Sequence, residues 1–231
     1  MKIINKSYGS IPHLSTSKMG KPADKKIDSG REAYLTIGSR KGDTIIVTEK
    51  VDGSNVGVIK KDGVIYAITR SGYTCESSEY VQHHAFDKYV KNNIARFSWL
   101  PEGWRVCGEW CIMAHGTLMD ITGEHPFLAF DIMDANGARL TYSKFCLICA
   151  ASGIRTTPLL YIGNSALPVL TAINIMGSGH YGKPEKPEGC VWRCERDGYV
   201  DYLAKWVQPD KIDGKYMADE IYHPGAEQYL K

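Results

Sequence analysis

The sequence lacks several features that would assign it to a specialised class of protein. Its longest apolar stretch, residues 156–177, is interrupted by Gly163, Asn164 and Pro168, so no segment is suited to span a bilayer. The amino-terminal MKIINKSYGSIPHL has neither the apolar core nor the cleavage site of a signal peptide. No internal repeat with a period of about 20–50 residues recurs. We therefore expect a non-membrane protein that is not a repeat array.

Net charge is also nearly absent. The 28 Lys and Arg residues are balanced by 26 Asp and Glu residues, which leaves a formal net charge of +2. Overall charge therefore supplies little attraction for a polyanion, and a nucleic-acid partner needs a local basic surface. The basic residues scattered through the first forty-odd positions, together with the loop at 180–189, are candidates for that surface. A solvated charged loop is the open alternative.

Seven cysteines, an odd number, argue against a disulfide framework in a chain of 231 residues, which is long enough to form a large core. Reduced thiols indicate a cytoplasmic protein. Six of the cysteines form close pairs, and four sulfurs could ligate zinc. The pairs lie in apolar segments without the glycines of a zinc knuckle, which favours buried thiols. The paired positions are 107 and 111, 146 and 149, and 190 and 194.

Short runs of β-branched, aromatic and apolar residues, bounded by Gly, Asp and Pro, predict strands. Asp-Gly at 62–63 and 197–198 predicts two hairpin turns. The predicted strands cover 44–50, 55–61, 63–70, 104–110, 127–134, 188–198 and 199–208.

Three segments have helical character. Val81, Ala85 and Tyr89 recur at helical spacing within 77–100. Helices are also predicted over 142–153 and 165–177. This order of elements indicates an α+β fold, a single domain over 1–231 of mainly antiparallel sheets flanked by helices. Residues 1–42 are expected to be an irregular polar arm, and 208–231 a short C-terminal tail.

Lys50 begins an ordered series of short motifs. The pattern Lys-x-Asp-Gly is weak by itself, because average residue usage produces it by chance in roughly one such chain in twenty. The order of the whole series makes it specific. The series comprises KVDGSN at 50–55, RSG at 70–72, GEW at 108–110, FDI at 130–132, EGCV at 188–191 and KWV at 205–207.

This series resembles the motifs of the covalent nucleotidyltransferases, the superfamily of ATP-dependent polynucleotide ligases and mRNA capping enzymes. Within it the chain is most similar to the small ATP-dependent RNA ligases, over roughly residues 11–210. The resemblance implies a nucleotidyltransferase (adenylation) domain with an ATP-grasp-like ligase core. Roughly two dozen residues follow Lys205, so we expect no OB-fold domain.

The resemblance also implies an activity. An ATP-dependent RNA ligase joins RNA 5′-phosphate and 3′-hydroxyl ends through a lysyl-AMP intermediate and an adenylated RNA end, using ATP and Mg²⁺ or Mn²⁺. Its expected location is the cytoplasm, or the host cytoplasm if the chain is viral. The alternatives are a nick-sealing DNA ligase, another nucleotidyltransferase, or a catalytically impaired nucleotide- or RNA-binding relative. The form of the substrate and the oligomeric state stay open.

The roles that the resemblance assigns begin with Lys50, the catalytic nucleophile. A free lysine titrates near 10.4, so we expect a pocket that lowers the pKa of this amine through burial, other cations or a metal. Gly53 permits a tight turn after it. The resemblance places a divalent metal on Glu188, with help from Asp52.

The remaining assignments concern the nucleotide. Several have structural alternatives, namely a salt bridge for Glu109, a core position for Phe130 and a surface ion pair for Arg70. By resemblance, Glu109 binds the ribose, Phe130 stacks on adenine, and the backbone around Glu49 and Val51 reads the base. Arg70 contacts ribose or phosphate, and Lys205 neutralises the α-phosphate. Asn55 orients the ribose or a metal-bound water.

One position departs from the pattern. Many relatives have a second basic residue just after the last motif lysine, where this chain has Val207 and Gln208. A positive charge on the phosphates is therefore missing. Lys211, in the following turn, is the candidate to replace it.

Overall fold

Two β-sheets contain most of the apolar runs of the chain. The computed structural model describes residues 1–181 and 185–230, and within them it has nine strands and four α-helices. In chain order these are α1 (Ser29–Thr36), β1 (Asp43–Lys50), β2 (Ser54–Lys61), β3 (Val64–Thr69), α2 (Val81–Asn92), β4 (Arg105–Trp110), β5 (Phe127–Met133), α3 (Tyr142–Ala151), β6 (Arg155–Thr156), β7 (Leu159–Gly163), α4 (Val169–Met176), β8 (Gly189–Arg196) and β9 (Tyr199–Val207).

The first sheet has four strands in the order β7-β1-β8-β9, and every neighbouring pair is antiparallel. Its buried face includes Trp192, which packs with Leu35 of α1 and Ala172 of α4. Trp192 is fully buried, and its indole N–H donates to the carbonyl of Leu167 at 3.1 Å. The large ring therefore fills the core without an unpaired donor.

The second sheet has five strands in the order β3-β2-β4-β5-β6, antiparallel except for the β5–β6 pair. In its core, the ring of Phe86 in α2 contacts Trp110 of β4 at a centroid distance of 5.3 Å and Phe127 of β5 at 5.2 Å. Phe145 of α3 joins the same cluster. The predicted α+β fold of mainly antiparallel sheets flanked by helices is confirmed at this level, and the parallel β5–β6 pair is its one exception among the described strands.

Both predicted Asp-Gly hairpins form. Asp62 and Gly63 have φ values of 52° and 76°, and Asp197 and Gly198 have 51° and 80°. Positive φ at both central positions is the geometry of the two-residue turn that matches strand twist. These turns fix the register of β2 with β3 and of β8 with β9.

The chain passes from one sheet to the other immediately after Lys50. β1 ends at Lys50 in the first sheet, and β2 begins at Ser54 in the second. A Cβ on Gly53 would lie 2.8 Å from the carbonyl oxygen of Trp110, so this close approach requires glycine. The KVDGSN motif is therefore the crossover between the sheets.

The predicted irregular arm at 1–42 is wrong for residues 29–36, which form α1. Asp28 caps this helix by accepting from the N–H groups of Gly30 and Arg31. Only Leu35 of the helix is buried, so the segment has too few apolar residues to show a periodic pattern. The arm also pairs with β9, where the N–H of Leu14 donates to the Lys205 carbonyl at 2.8 Å.

Other boundaries shift as well. The helix predicted within 77–100 is α2 followed by a single 3-10 turn at Ile94–Arg96. The strands β6 and β7 were not predicted, because Pro158, Gly163 and Asn164 break that region into short pieces. Within the described residues no helix is long and apolar enough to cross a membrane.

The C-terminal segment 208–230, predicted as a short tail, packs along the loop after β4. The N–H of Ala114 donates to the carbonyl of Ile221 at 2.8 Å, and the N–H of Tyr216 donates to that of His115 at 2.9 Å. Glu185 accepts from the hydroxyl of Tyr216 at 2.7 Å. This segment is therefore part of the folded domain and reaches the crossover motif.

Candidate active site

A cavity of about 220 Å³ lies between the two sheets and contains most of the predicted site residues. Lys50 lies where this cavity meets a wider surface groove. Asp52 and Glu188 are not part of the cavity lining and adjoin Lys50 on its other side. The predicted residues that line the cavity are Glu49, Lys50, Val51, Asn55, Arg70, Glu109, Phe130 and Lys205.

Strand register explains why Lys50 meets Glu188. In the β1–β8 ladder Lys50 is opposite Gly189, so the residue before Gly189 lies beside the Lys50 side chain. The Lys50 ammonium donates a hydrogen bond to Oε2 of Glu188 and forms an ion pair with it. Two motifs that are 138 residues apart in the chain are thus brought together by one pair of neighbouring strands.

The charges around Lys50 do not produce the depressed pKa that we expected. Burial acts to lower the pKa of the amine, but the negative charges of Glu188, Glu109 and Asp52 outweigh burial and raise it. The expectation named burial, other cations or a metal, and among the described residues the three carboxylates outweigh burial and the neighbouring cations. In this arrangement Lys50 is a charged ammonium.

A second lysine, Lys211, lies between the carboxylates of Asp52 and Glu188. The ammonium of Lys211 lies 2.7 Å from Oδ1 of Asp52 and 3.0 Å from Oε1 of Glu188. Its side chain is 2% exposed. The N–H of Gly116 donates to the other Asp52 oxygen at 2.8 Å. Burial acts to raise the pKa of Asp52, while the Lys211 and Lys50 charges lower it, and the net pKa is lowered.

The two predicted metal ligands fit a divalent cation. Asp52 and Glu188 both lie within hydrogen-bond distance of one ammonium, so their oxygens converge on a point already occupied by positive charge. Carboxylate oxygen is the donor that Mg²⁺ and Mn²⁺ prefer. Across residues 1–181 and 185–230 no group of three or more His, Cys, Asp or Glu side chains is placed to hold a metal. A cation here would complete its coordination with phosphate and water, as Mg²⁺ commonly does.

Unpaired acceptors line the cavity near Lys50. Asn55 and Glu109 are opposite each other in the β2–β4 ladder, and the Asn55 amide donates to Oε1 of Glu109 at 3.4 Å. Among the described atoms, Oδ1 of Asn55 and Oε2 of Glu109 are buried without a hydrogen-bond partner. Burial raises the pKa of Glu109 to about 8, with opposition from the Lys50 charge. Buried acceptors of this kind suit a ligand that brings hydroxyl donors.

An aromatic pair forms the apolar wall of the cavity. Phe130 is half-buried, and its ring meets that of Tyr8 edge-on at a centroid distance of 4.7 Å. Tyr8 donates to Asp131 at 2.6 Å, and burial together with that carboxylate raises the pKa of the Tyr8 hydroxyl. Phe130 therefore presents a partly open aromatic face that is fixed by its neighbour.

Asp131, the second residue of the FDI motif, anchors this wall. Its fully buried carboxylate accepts from Nη1 of Arg193 at 2.6 Å and from Nε of Arg139 at 3.0 Å. Arg193 belongs to β8 and Asp131 to β5, so this ion pair joins the two sheets beside the cavity. Tyr8 and Arg193 were not predicted: Tyr8 lies in the polar arm, and arginine in a strand carries no specific signal.

Two cations lie on the groove side of Lys50. Lys205 is opposite Val191 in the β8–β9 ladder, and burial, followed by the charge of Lys50, lowers the pKa of Lys205. Arg70 is exposed and donates to the hydroxyl of Ser10 at 3.0 Å. Because this partner is neutral, the full charge of Arg70 faces the groove, and the ion pair with a surface acid that we considered for it is not formed among the described residues.

The backbone at Glu49 is already engaged within the fold. Its N–H donates to the carbonyl of Pro158 at 2.9 Å, and its carboxylate accepts from the N–H of His180 at 2.7 Å. Burial raises the pKa of Glu49. The Glu49 N–H is therefore not available to hydrogen-bond the base, which is the role that we predicted for the backbone here. Val51, also in the cavity lining, is 2% exposed and belongs to the core of the second sheet.

The wider groove is lined in part by the polar arm. Lys6, Lys18 and Lys21 lie along it, together with His13 and His115. His115 contacts the hydroxyl of Ser54 at 3.1 Å, and burial lowers the pKa of its imidazole. Of the predicted basic loop at 180–189, residues 182–184 lie outside the described residues.

The cysteines do not assemble into a site among the described residues. All seven are free thiols and six of them are buried. The sulfur of Cys190 lies 3.6 Å from that of Met176 in the core of the first sheet, and burial raises the pKa of the Cys190 thiol to about 12. These thiols act as small core residues.

The fold is similar to that of solved RNA ligases. An archaeal ATP-dependent RNA ligase aligns with a TM-score of 0.52 at 18% identity, over 72% of this chain and 43% of that one. A mutant RNA ligase of Naegleria gruberi, solved with ATP and Mn, aligns with a TM-score of 0.55 at 23% identity, over 73% of this chain and 51% of that one. The chain therefore spans about half or less of the length of these structures. At such identities the likeness shows a shared fold.

Sequence comparison defines the family. The RNA ligase family profile matches residues 43–207, from the start of β1 to the end of β9. Since this match covers more than half of the chain, the protein belongs to the RNA ligase family. An uncharacterized protein of Methanocaldococcus jannaschii is 45% identical over 42 residues, which are 18% of this chain and 11% of that one.

Proposed function

We propose that the protein is an ATP-dependent RNA ligase that joins RNA 5′-phosphate and 3′-hydroxyl ends through AMP bound covalently to Lys50. The observation that carries this proposal is the convergence of separate motifs on one lysine. Lys50 lies at the crossover between the sheets, with Glu188 on one side and Glu109 and Lys205 around the cavity on the other. A reactive amine held among phosphate-binding cations and buried acceptors suits nucleotidyl transfer.

In the first step the Lys50 nitrogen attacks the α-phosphorus of ATP. A P–N bond forms, the bond from the α-phosphorus to the bridging oxygen breaks, and pyrophosphate leaves. The Lys50 ammonium loses one proton to free its lone pair and a second as the P–N bond forms. Glu188, which already accepts a hydrogen bond from this nitrogen, is the base positioned to take the first proton, and the second passes to solvent. Lys205, which is held near Lys50, offsets negative charge that builds on the α-phosphate.

In the second and third steps the adenylate moves to RNA and then leaves. An oxygen of the RNA 5′-phosphate attacks the α-phosphorus and forms the P–O bond of the adenylated RNA end, the P–N bond breaks, and the Lys50 nitrogen takes up two protons to become an ammonium again. The 3′-hydroxyl of the other end then attacks the RNA 5′-phosphorus, losing its proton to solvent, and AMP departs. Arg70 faces the groove by which these ends would approach and is suited to contact their phosphates.

The nucleoside end of the cavity suits AMP. Glu109 and Asn55 offer unpaired buried acceptors for ribose hydroxyls. Phe130 offers an aromatic face on which a base can stack. Asp52 and Glu188 would hold Mg²⁺ or Mn²⁺, which supplies positive charge to offset the phosphates.

Nucleotide labelling tests the proposal. Protein incubated with α-labelled ATP and a divalent cation should acquire acid-stable label, and mass spectrometry should place AMP on the peptide that contains Lys50. Lys50→Ala should abolish the label, whereas Lys61→Ala, on the exposed end of β2, should retain it. Label in Lys50→Ala equal to that of wild type would overturn the proposal, and labelling by GTP alone would indicate capping chemistry.

The RNA assignment needs a separate assay. Nicked and broken strands of RNA and of DNA, each with 5′-phosphate and 3′-hydroxyl ends, should be offered in parallel. We expect sealing of RNA ends, and exclusive sealing of DNA nicks would assign the protein to the alternative. Lys6→Ala combined with Lys21→Ala should weaken RNA binding and reduce its salt dependence by roughly 1.5 counterions. Lys25→Ala combined with Lys41→Ala, outside the groove lining, is the matched control.

A further inference from the structure

Lys211 is a buried cation that the family match does not include. The match ends at residue 207, four positions before it. Its side chain is 2% exposed and bridges Asp52 and Glu188 at 2.7 and 3.0 Å. A lysine is almost never buried to this degree unless it is paired, and here both partners are the residues proposed to hold a divalent cation. Lys211 therefore has a specific place in the site.

The four side chains in direct ion-pair contact here balance in charge without any metal. Asp52 and Glu188 contribute two negative charges, and the ammonium groups of Lys50 and Lys211 contribute two positive ones. A free divalent cation that approached these carboxylates would meet a neutral cluster and an ammonium about 3 Å from both of them. Repulsion between like charges at such distances is strong in a partly buried site.

The triphosphate of ATP changes this balance. It brings several negative charges to the cavity beside Lys50, so a cation that arrives with it no longer enters a neutral cluster. We propose that Lys211 is an internal counter-cation that keeps free divalent metal off Asp52 and Glu188, so that the metal binds together with the nucleotide. Lys211 is then a positioning residue, and this inference rests on the metal role given above to Asp52 and Glu188.

The backbone around Lys211 is held independently of its charge. Its N–H donates to the carbonyl of Gln208 at 3.3 Å, and its own carbonyl accepts from the side chain of Lys18. Tyr216, five residues on, is bonded to the loop after β4 through the carbonyl of His115. Removal of the ammonium therefore leaves other contacts that hold this segment in place.

The test measures the response to Mn²⁺ without any nucleotide. Lys211→Met removes the charge and preserves much of the side-chain volume. We expect this variant to bind free Mn²⁺ at least about tenfold more tightly than wild type, because two carboxylates lose a competing cation. Its melting temperature should rise with millimolar Mn²⁺, since a ligand that binds only the folded state stabilises it. Wild type should show little response.

Lys215→Met is the matched control, because Lys215 lies on the same segment but is exposed and paired with Glu185. It should respond to Mn²⁺ as wild type does. If Lys211→Met is poorly folded alone, Mn²⁺ should restore its folding transition. If Lys211 is purely structural, the variant gains no more from Mn²⁺ than wild type does, whether or not it folds, and that result would overturn the proposal. Tight binding of free Mn²⁺ by wild type would also overturn it.

This experiment uses neither ATP nor RNA, so its failure is distinguishable from failure of the ligase proposal. Label on Lys50 with no gain of Mn²⁺ affinity in Lys211→Met would leave the ligase intact and reject only the counter-cation. Gain of Mn²⁺ affinity in Lys211→Met without any label on Lys50 would support the counter-cation and reject the ligase proposal.

Discussion

Two charged clusters border the cavity, and they are built from different cations. At the apolar end, Asp131 is bound by the guanidinium groups of Arg139 and Arg193. At the crossover, Asp52 and Glu188 are bound by the ammonium groups of Lys50 and Lys211. Both clusters join segments that are distant in the chain.

The difference between them follows from the chemistry of the two cations. Arginine stays charged and binds in a fixed planar geometry, so the Asp131 cluster works as a permanent joint between the sheets. Lysine is a flexible point charge that can lose its proton, so the cluster at Lys50 can exchange partners. We therefore expect one end of the cavity to contribute mainly to stability, while the other holds the proposed reactive lysine.

The largest effect on stability is expected from disrupting the Asp131 ion-pair cluster between the sheets. Asp131→Asn removes the charge between the buried guanidinium of Arg193 and the half-buried one of Arg139, and the loss of one partner of a buried ion pair costs about 3–5 kcal/mol in free energy of unfolding. Urea denaturation measures this loss. Asp197→Asn, at an exposed turn where Asn also accepts positive φ, should change stability by less than about 0.5 kcal/mol. Equal effects of the two changes would contradict the assignment.

At the crossover we expect a large effect on the rate of nucleotide labelling and a smaller effect on stability. Glu188→Gln should reduce the rate of adenylate transfer to Lys50 by about 10²–10³-fold, the loss typical when one electrostatic group is removed from an active site. Its effect on stability should be smaller than that of Asp131→Asn, since Lys211 keeps Asp52 as a partner. Single-turnover labelling and urea denaturation on the same samples measure both. Glu185→Gln, which changes a carboxylate bonded to Lys215 and Tyr216, is the control.

The reactive cluster should also respond to pH. Because its pKa is raised, the Lys50 amine is protonated at neutral pH, and its uncharged fraction grows about tenfold per pH unit until the pKa is reached. The labelling rate should therefore rise from pH 6 towards alkaline pH. Glu109, with a pKa of about 8, loses its proton over the same range, and its negative charge raises the pKa of Lys50 and so opposes the rise. A Glu109→Gln variant should therefore show a steeper rise near and above pH 8, and a rate that falls with pH would contradict this account.

The smallest effect is expected at the aromatic wall. Phe130→Leu keeps an apolar side chain but removes the ring, and a lost stacking contact of about 1 kcal/mol corresponds to a roughly fivefold higher KM for ATP. The maximal labelling rate should not change. A fall in stability without a change in KM would show that Phe130 is a core residue, the alternative considered for it from the sequence.

Much of the fold was predictable because its signals are local. The Asp-Gly turns, the runs of β-branched, aromatic and apolar residues, and Gly153 at the end of the predicted helix fix β2, β3, β8, β9 and α3 almost to the residue. The helix α1 was not predictable in this way, since its stability comes from the Asp28 cap and from Leu35 packing on the first sheet.

The site residues also separate into those that local sequence predicts and those that it does not. Lys50, Glu109 and Glu188 could be predicted from short motifs, since each has a residue type suited to its chemistry. The sign of the Lys50 pKa depends on which charges surround the amine, and strand register decides that in three dimensions. Tyr8 belongs to the same class, because only tertiary contacts bring the arm to Asp131.

The position of the C-terminal segment has a practical consequence for anyone who expresses this protein in pieces. A gene fragment cut at the end of the family match would stop at residue 207 and omit Lys211, Tyr216 and the strand-like pairing of Tyr222 with Met113. Such a fragment would contain every recognisable motif but leave Asp52 without its ammonium partner beside Lys50. Domain limits taken from sequence profiles would then yield a protein whose site had been altered by the choice of boundary alone.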